Sequence, residues 1–329
     1  MATVHRTWIP LFVIALVLGI AFTTVYLGLQ RDPRPRDLPV AAVGAALSEQ
    51  MVAGLGAMVD VTAVATAEAG ADLVRSGEAV AVIAEDSPTA LRLDYAGSAG
   101  MSESGAVRQL VAGFAGATGA TVTETDIVPL VRYDTRGLAT FYVVFGVTLS
   151  SFILAQLLVG GGAVFARLRH RFFVMAAFTV AIGLIAATIA GPVYGTLPAS
   201  FPTLALSLVL LSAAVAFATS AMAAWLGPPG ISLAVLVFTV IGNATSGATI
   251  GYDLLPDWAQ AVSARLPTGA ATRLIEDFGY FGGSGVGSSV TVLLLWFGAS
   301  AGLIALRRRR LTHRGRHLAG GLTASPAMG

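Results

Sequence analysis

The groups with which this chain could do chemistry are eighteen carboxylates, twenty arginines and four histidines; it has no cysteine, and none of its basic residues is lysine. Without cysteine there is no disulfide, thiolate nucleophile or sulfur-ligated metal. Without lysine there is no P-loop, whose lysine must reach the phosphates, so the chain is not a Walker-type ATPase by itself. The histidines (His5, His170, His313, His317) lie in short basic stretches, away from every acid. A Ser–His–Asp triad or a zinc site therefore has no histidine beside the acids. The acids show no D-x-[DN]-x-[DN]-G spacing for calcium and read as a solvated surface. In SES (102–104) the pattern predicts a helix N-cap with Glu103 in the first turn, not a nucleophile. These absences predict a transporter-like protein with no hydrolase site, no metal and no cofactor of its own.

Two polar groupings remain. One is RLRHR, where Arg167, Arg169 and Arg171 either anchor a loop or grip a partner. The other opens in LVFTVIGNATSGATI (236–250), where an apolar run gives way to Asn243, Ser246 and Gly247. Polar groups at membrane depth need protein or a wet cavity around them. The chain then continues through DLLPDWAQAVSARLP. It predicts a short amphipathic helix with Leu254, Leu255, Trp258, Ala261, Val262 and Leu266 on one face. PTGAATRLIEDF predicts a second helix. Residues 251–285 are thus expected as an outer re-entrant segment, either a gate or vestibule or an interfacial cap. Its candidate residues are Asn243, Ser246, Gly247, Pro256, Trp258, Pro267, Tyr280 and Phe281.

The elements that must position these groups follow from composition. The chain has 329 residues, is 55% hydrophobic and 12% charged, and has a mean hydropathy of +0.78. Several runs reach the ~20 residues that cross a bilayer. The expected class is an α-helical polytopic membrane protein with six transmembrane helices, one plus five. Residues 1–7 form the N-terminus and 8–29 the first span; 30–137 form an α/β domain, 138–306 the five-helix domain, and 307–329 a basic tail. The five further spans are placed near 138–160, 172–194, 203–226, 231–250 and 286–306, with GPPG (227–230) a tight turn. Strands are expected at 38–43, 59–65, 78–85, 89–96 and 120–130, with helices at 45–58, 67–76 and 102–116, an alternating α/β pattern. All acids fall within 31–137 or 251–285, and arginines gather at Arg6, RLRHR and Arg307 to Arg316. By the positive-inside rule both termini are cytoplasmic and residues 30–137 extracytoplasmic. RRRR (307–310) reads as a stop-transfer anchor with affinity for membrane lipid.

The stretch GNATSGATIGYDLLPDWAQAVSARLPTGAATRLIEDFGYFGG resembles one in the YhgE/Pip-like, ABC-2-type membrane proteins of bacteria. Gly242, Asn243, Ser246 and Gly247 match, as do Leu254, Leu255, Pro256 and Trp258. Leu266, Pro267, Gly269, Ala270, Ala271, Tyr280, Phe281 and Gly283 match too, and DIVPLVRYDTRGLATFYVVFGV (126–147) resembles that family's approach to its second span. Ala244, Gly251 and Glu276 depart from its pattern, proline being common at the first two positions and arginine at the third. The resemblance implies a permease subunit of an exporter in the bacterial plasma membrane. It would be a homodimer or heterodimer of permease subunits moving a hydrophobic or amphipathic compound, with ATP used by a separate ATP-binding cassette protein. It also implies that Arg167, Arg169 and Arg171 meet that ATPase. The same kinship leaves open a non-transporting envelope receptor, phage-docking surface or secretion-accessory scaffold. Nothing implies nucleic acid.

Overall fold

The computed structural model describes residues 8–160 and 168–322. Strands and helices alternate as the sequence predicts: α1 (Trp8–Gln30), β1 (Leu38–Val43), α2 (Ala45–Leu55), β2 (Val59–Val64), α3 (Ala67–Arg75), β3 (Ala81–Ser87), β4 (Ala90–Tyr95), α4 (Met101–Thr118) and β5 (Thr121–Asp126). The sheet order is β2-β1-β3-β4-β5, with only the β3–β4 pair antiparallel. Successive side chains of a strand point to opposite faces, and both faces here are covered. Leu38, Val40 and Ala42 of β1 and Ile83 of β3 pack with Leu47, Met51, Val107, Val111 and Phe114 under α2 and α4. Ala41 and Val82 pack on the other face with Ala71 and Val74 of α3. That second face is completed from far along the chain, by Phe281.

After the sheet come α5 (Ala139–Gly160), α6 (Leu168–Thr188) and α7 (Phe201–Leu226). Next are α8 (Pro228–Ala244), α9 (Asp257–Ser263), α10 (Pro267–Gly279) and α11 (Val286–Leu322). Among the described residues five helices are long and apolar enough to cross a membrane: Phe12–Gln30, Ala139–Val159, Arg169–Val193, Phe201–Leu226 and Val286–Arg307. The chain is a polytopic membrane protein, with its α/β sheet lying in sequence between the first and second of these helices. α7 is the hub. Two thirds of its apolar window is buried, against 6% for α1, and α5, α6, α10 and α11 all pack on it. Ser151 of α5 and Ser212 of α7 share a buried hydrogen bond of 2.7 Å between their hydroxyls. Such pairs satisfy polar groups that lipid cannot.

The stretch expected to span at 231–250 differs. α8 ends at Ala244, and its Val235–Ile241 segment is wound as a π-helix. The ladder then stops for local reasons. Thr245 donates its hydroxyl to the Ile241 carbonyl and Ser246 to the Asn243 carbonyl. Such side-chain bonds compete with helix continuation. Gly247 then takes φ +86°, which turns the chain.

Candidate functional site

Where the α/β domain meets the helical bundle there is a cleft with a cavity of about 270 Å³. Its roof is the turn Ser98–Glu103 leading into α4, with Arg136 and Gly137 beside it; its floor is the loop 246–253 and the Arg273, Glu276 and Asp277 turn of α10. Chain segments clasp across it. Arg36 N–H donates to the Asp253 carbonyl at 3.3 Å, and the Ser284 hydroxyl donates to the Ser76 carbonyl. Phe281 lies against Gly77, leaving no room there for a β-carbon.

Glu103 occupies the first turn of α4 as expected, but it is 5% exposed and faces Asp253 of the floor rather than solvent. Helix α4 begins two residues earlier than a Ser102 cap requires. Gly100 is the N-cap, and the Ser104 hydroxyl donates back to its carbonyl at 2.7 Å. Opposite, Gly251 has φ +85°, and a β-carbon there would sit 2.2 Å from a Glu103 carboxylate oxygen. Proline, common at this position in the resembled family, cannot adopt that φ. The glycine and the buried glutamate fit each other.

Four carboxyl groups line this cleft: Glu103, Asp253, Glu276 and Asp277. Among the described residues none of them lies within ion-pair distance of an arginine. Arg273 turns away, donating to the Ser263 hydroxyl and carbonyl at 3.0 and 3.2 Å. Its guanidinium lies 5.3 Å from the centre of the Tyr252 ring. Arg136 is exposed at the mouth. Burial therefore dominates the acids. It raises Glu103 well above the usual carboxylate range, and nearby Asp253 raises it further. Burial raises Asp253 too, against a hydrogen bond with Glu103 that lowers it. Glu276 is pushed up to about 8, by burial first and then by the neighbouring Asp277, with Arg273 opposing. Asp277 is raised by burial, again against Arg273. Asp134, nearby, accepts from the Leu138 and Ala139 amides at 2.9 and 3.0 Å, capping α5. The acids are therefore not all a solvated surface, contrary to the sequence expectation. The pairing that buries them links residues 150 positions apart, which no local pattern reports.

Of the eight residues expected at a gate, Ser246, Gly247 and Phe281 line the cleft. Asn243 is buried below it, donating from Nδ2 to the Tyr26 hydroxyl at 2.7 Å and so tying α8 to α1. Pro256 is the N-cap of α9, and Pro267 is buried at the start of α10. Tyr280 is half-buried, and burial pushes its phenol up to about 12. Trp258 is 55% exposed, whereas Ala259, Ser263 and Leu266 are buried. Trp258 of the predicted amphipathic face thus points outward, and Leu254 and Leu255 of that face are buried in the turn before α9. The second helix is α10, as predicted, seated against α5, α7 and α11. At the far end of the bundle Arg171 and Arg307 line a cavity of about 180 Å³ with Phe172, Met175 and Ser220. Arg169 is exposed, and Arg167 lies outside the described residues.

Sequence reasoning missed Glu103, Asp253, Asp277 and Ser98. The available signal was that residues 251–285 carry four acids (Asp253, Asp257, Glu276 and Asp277) against two arginines (Arg265 and Arg273) in a largely apolar half of the chain. No protein-family model matches the chain, and no curated protein or solved structure matches it either.

Proposed function

We propose that this chain is the permease subunit of an ABC-2-type exporter in a bacterial plasma membrane. It would move a hydrophobic or amphipathic compound outward, with the energy supplied by a separate ATP-binding cassette protein. The observation that carries the reading concerns residues 242–283, whose motifs resemble those of the YhgE/Pip-like proteins. They form broken helices and a loop that floor a polar cleft against an α/β domain, instead of one long apolar helix. Irregular backbone beside a membrane bundle suits a substrate path lined by protein. In this reading the six crossings include α8, both termini are cytoplasmic and the α/β domain is outside. The permease pairs with a second permease subunit, and the arginine loop at 167–171 docks the ATPase.

The test replaces Arg167, Arg169 and Arg171 together with lysine. Lysine keeps the positive charge that sets topology but lacks the planar fork for bidentate carboxylate pairing. Each lost pair costs about 1–3 kcal/mol, or roughly 5- to 150-fold in partner affinity. The variant should insert normally yet no longer co-purify with an ATP-binding cassette protein. If the correctly inserted wild type co-purifies with none, the exporter reading fails and the envelope-scaffold alternative takes its place.

A further inference from the structure

We propose that the cavity at the far end of the bundle is a site for the phosphate of an anionic phospholipid, gripped by Arg171 and Arg307. Neither transport nor an ATPase is needed for this, so it goes beyond the exporter reading. Four apolar helices meet there, and their membrane-crossing lengths end at its walls. Val159 closes the Ala139–Val159 length and Arg307 closes Val286–Arg307. Arg171 falls in the first turn of Arg169–Val193, and Ala224 in the last turn of Phe201–Leu226. A cavity at that level meets lipid headgroups rather than tails. Trp225 marks the same depth independently. It is 39% exposed, and its indole N–H donates to the Leu303 carbonyl at 3.1 Å. The Arg310 guanidinium lies 5.4 Å from the centre of its ring. Tryptophan is enriched where membrane meets water.

The lining has the two characters a headgroup requires. Leu158, Met175 and Ile304 belong to an apolar cluster that also holds Phe217. Phe217 stands edge-on to Phe172 and Phe297, with ring centres 5.3 and 4.9 Å apart, so the cavity ends on packed side chains. The polar part comes from two other helices. Arg171 of α6 and Arg307 of α11 are half-buried, and none of α5, α6, α7 and α11 contains Asp or Glu. Two guanidiniums at one cavity repel each other, and an anion between them removes the repulsion. Each has five N–H donors in a planar fork that matches phosphate oxygens, so contacts made within the chain leave donors for a phosphate. Ser220, also in the lining, donates to the Met175 sulfur at 3.6 Å. A thioether is a weak acceptor, which a phosphate oxygen displaces.

Volume and neighbourhood favour a lipid over a protein. About 180 Å³ admits a phosphate with its glycerol, not a folded partner segment. Exposed apolar surface for acyl chains stands beside the lining in sequence, Phe173 after Phe172 and Leu157 before Leu158. Basic pockets between membrane helices bind anionic headgroups in this way. Arg169, by contrast, is exposed and outside the lining, where a docking protein would meet it.

The experiment takes the purified full chain in neutral detergent, with no partner present. Lipid affinity is read by native mass spectrometry and by thermal unfolding. Phosphatidylglycerol should bind and raise the melting temperature. Phosphatidylcholine, whose own cation faces the arginines, should bind at least about tenfold more weakly, the equivalent of one charged hydrogen bond. Glycerol phosphate, which has no acyl chains, separates lipid from free phosphate and should give no shift at equal concentration. Arg171→Gln/Arg307→Gln should weaken phosphatidylglycerol at least about thirtyfold, through two lost charged contacts. Arg169→Gln/Arg310→Gln removes equal charge outside the cavity and should cost less than about fivefold, because exposed charges are screened. Should the cavity pair fail to insert, Arg171→Lys/Arg307→Lys keeps the topological charge and decides the matter. A loss of about threefold or more is expected there as the planar forks disappear. Four outcomes would overturn the proposal: equal binding of the two lipids, an equal shift with glycerol phosphate, no greater loss in the cavity pair than in the outer pair, or full affinity in the deciding pair. With no ATPase in the sample, failure of the exporter reading leaves every one of these results unchanged.

Discussion

The two sides of the α/β domain treat their carboxylates in opposite ways. On the solvent side acids stand beside arginines: Glu68 and Asp72 lie 3.0 and 2.9 Å from Arg75, and Glu124 lies 2.6 Å from Arg108. These pairs are exposed, and such pairs add little to stability because water screens them. On the side facing the bundle Glu103, Asp253, Glu276 and Asp277 lie buried or half-buried, with no arginine within ion-pair distance among the described residues. Hydrophobic residues of similar size would be more stable there. The difference teaches where to look for function. An unpaired buried carboxyl costs free energy, so a fold that places several at one seam holds them against its own stability. They cluster at a cleft where the sheet domain meets the helices.

The strongest test of the contrast is steric. Gly251→Val puts a side chain at a left-handed position and into the Glu103 carboxyl. Strain and overpacking together should cost about 2–5 kcal/mol, measured as a fall in denaturation midpoint. A wild-type midpoint would mean the seam is not packed as described.

The next largest effect is in pH. Groups with raised native pKa bind more protons folded than unfolded. Their contribution is therefore fully present below the unfolded value, ~4.3 for glutamate, and is lost as pH rises through the native value. For Glu276 that window runs up to about 8. The full chain should melt higher at pH 5.5 than at pH 8.5, and Glu276→Gln should narrow the gap. A gap of unchanged width in the variant would remove Glu276 from the account.

A smaller effect of opposite sign is expected on the solvent side. Gly113 of α4 is exposed, with nothing within 4 Å of an added β-carbon. Gly113→Ala should stabilise by about 0.5–1 kcal/mol through helix propensity, read from the same denaturation curves. Smallest of all, Arg75→Gln should leave the midpoint unchanged within error although it deletes two ion pairs. A measurable loss there would blur the distinction between the two sides.

Much of this architecture is local and was legible. The β1 strand falls where LPVAAV predicts it, and α10 where PTGAATRLIEDF does. Periodicity reports such elements because one neighbour or the next turn decides them. The orientation of α9 was not legible. Leu254 and Leu255 suggested a face shared with Trp258, but both are buried in the turn before Pro256, and the helix itself buries Ala259 and Ser263. Nor was the cleft. Glu103 meets Asp253 and Gly251 only because α4 and the loop after α8 are brought together by the docking of whole domains. Phe281, a candidate of the outer segment, also completes the sheet face beside Val74 and Val82, a contact no local pattern reports.

The π-helical stretch Val235–Ile241 has a consequence of its own. A wide turn of this kind takes up one residue more than an α-turn spends on the same rotation. In an α-helix one extra residue would swing everything beyond it by about 100°. Here the surplus is absorbed on the spot, so Asn243 still reaches Tyr26 across the gap to α1. The helix therefore has slack of a single residue. Shortening it by one within 235–241 would tighten the coil and leave the faces on either side in phase, whereas a deletion before Val235 or after Ile241 has no such reserve.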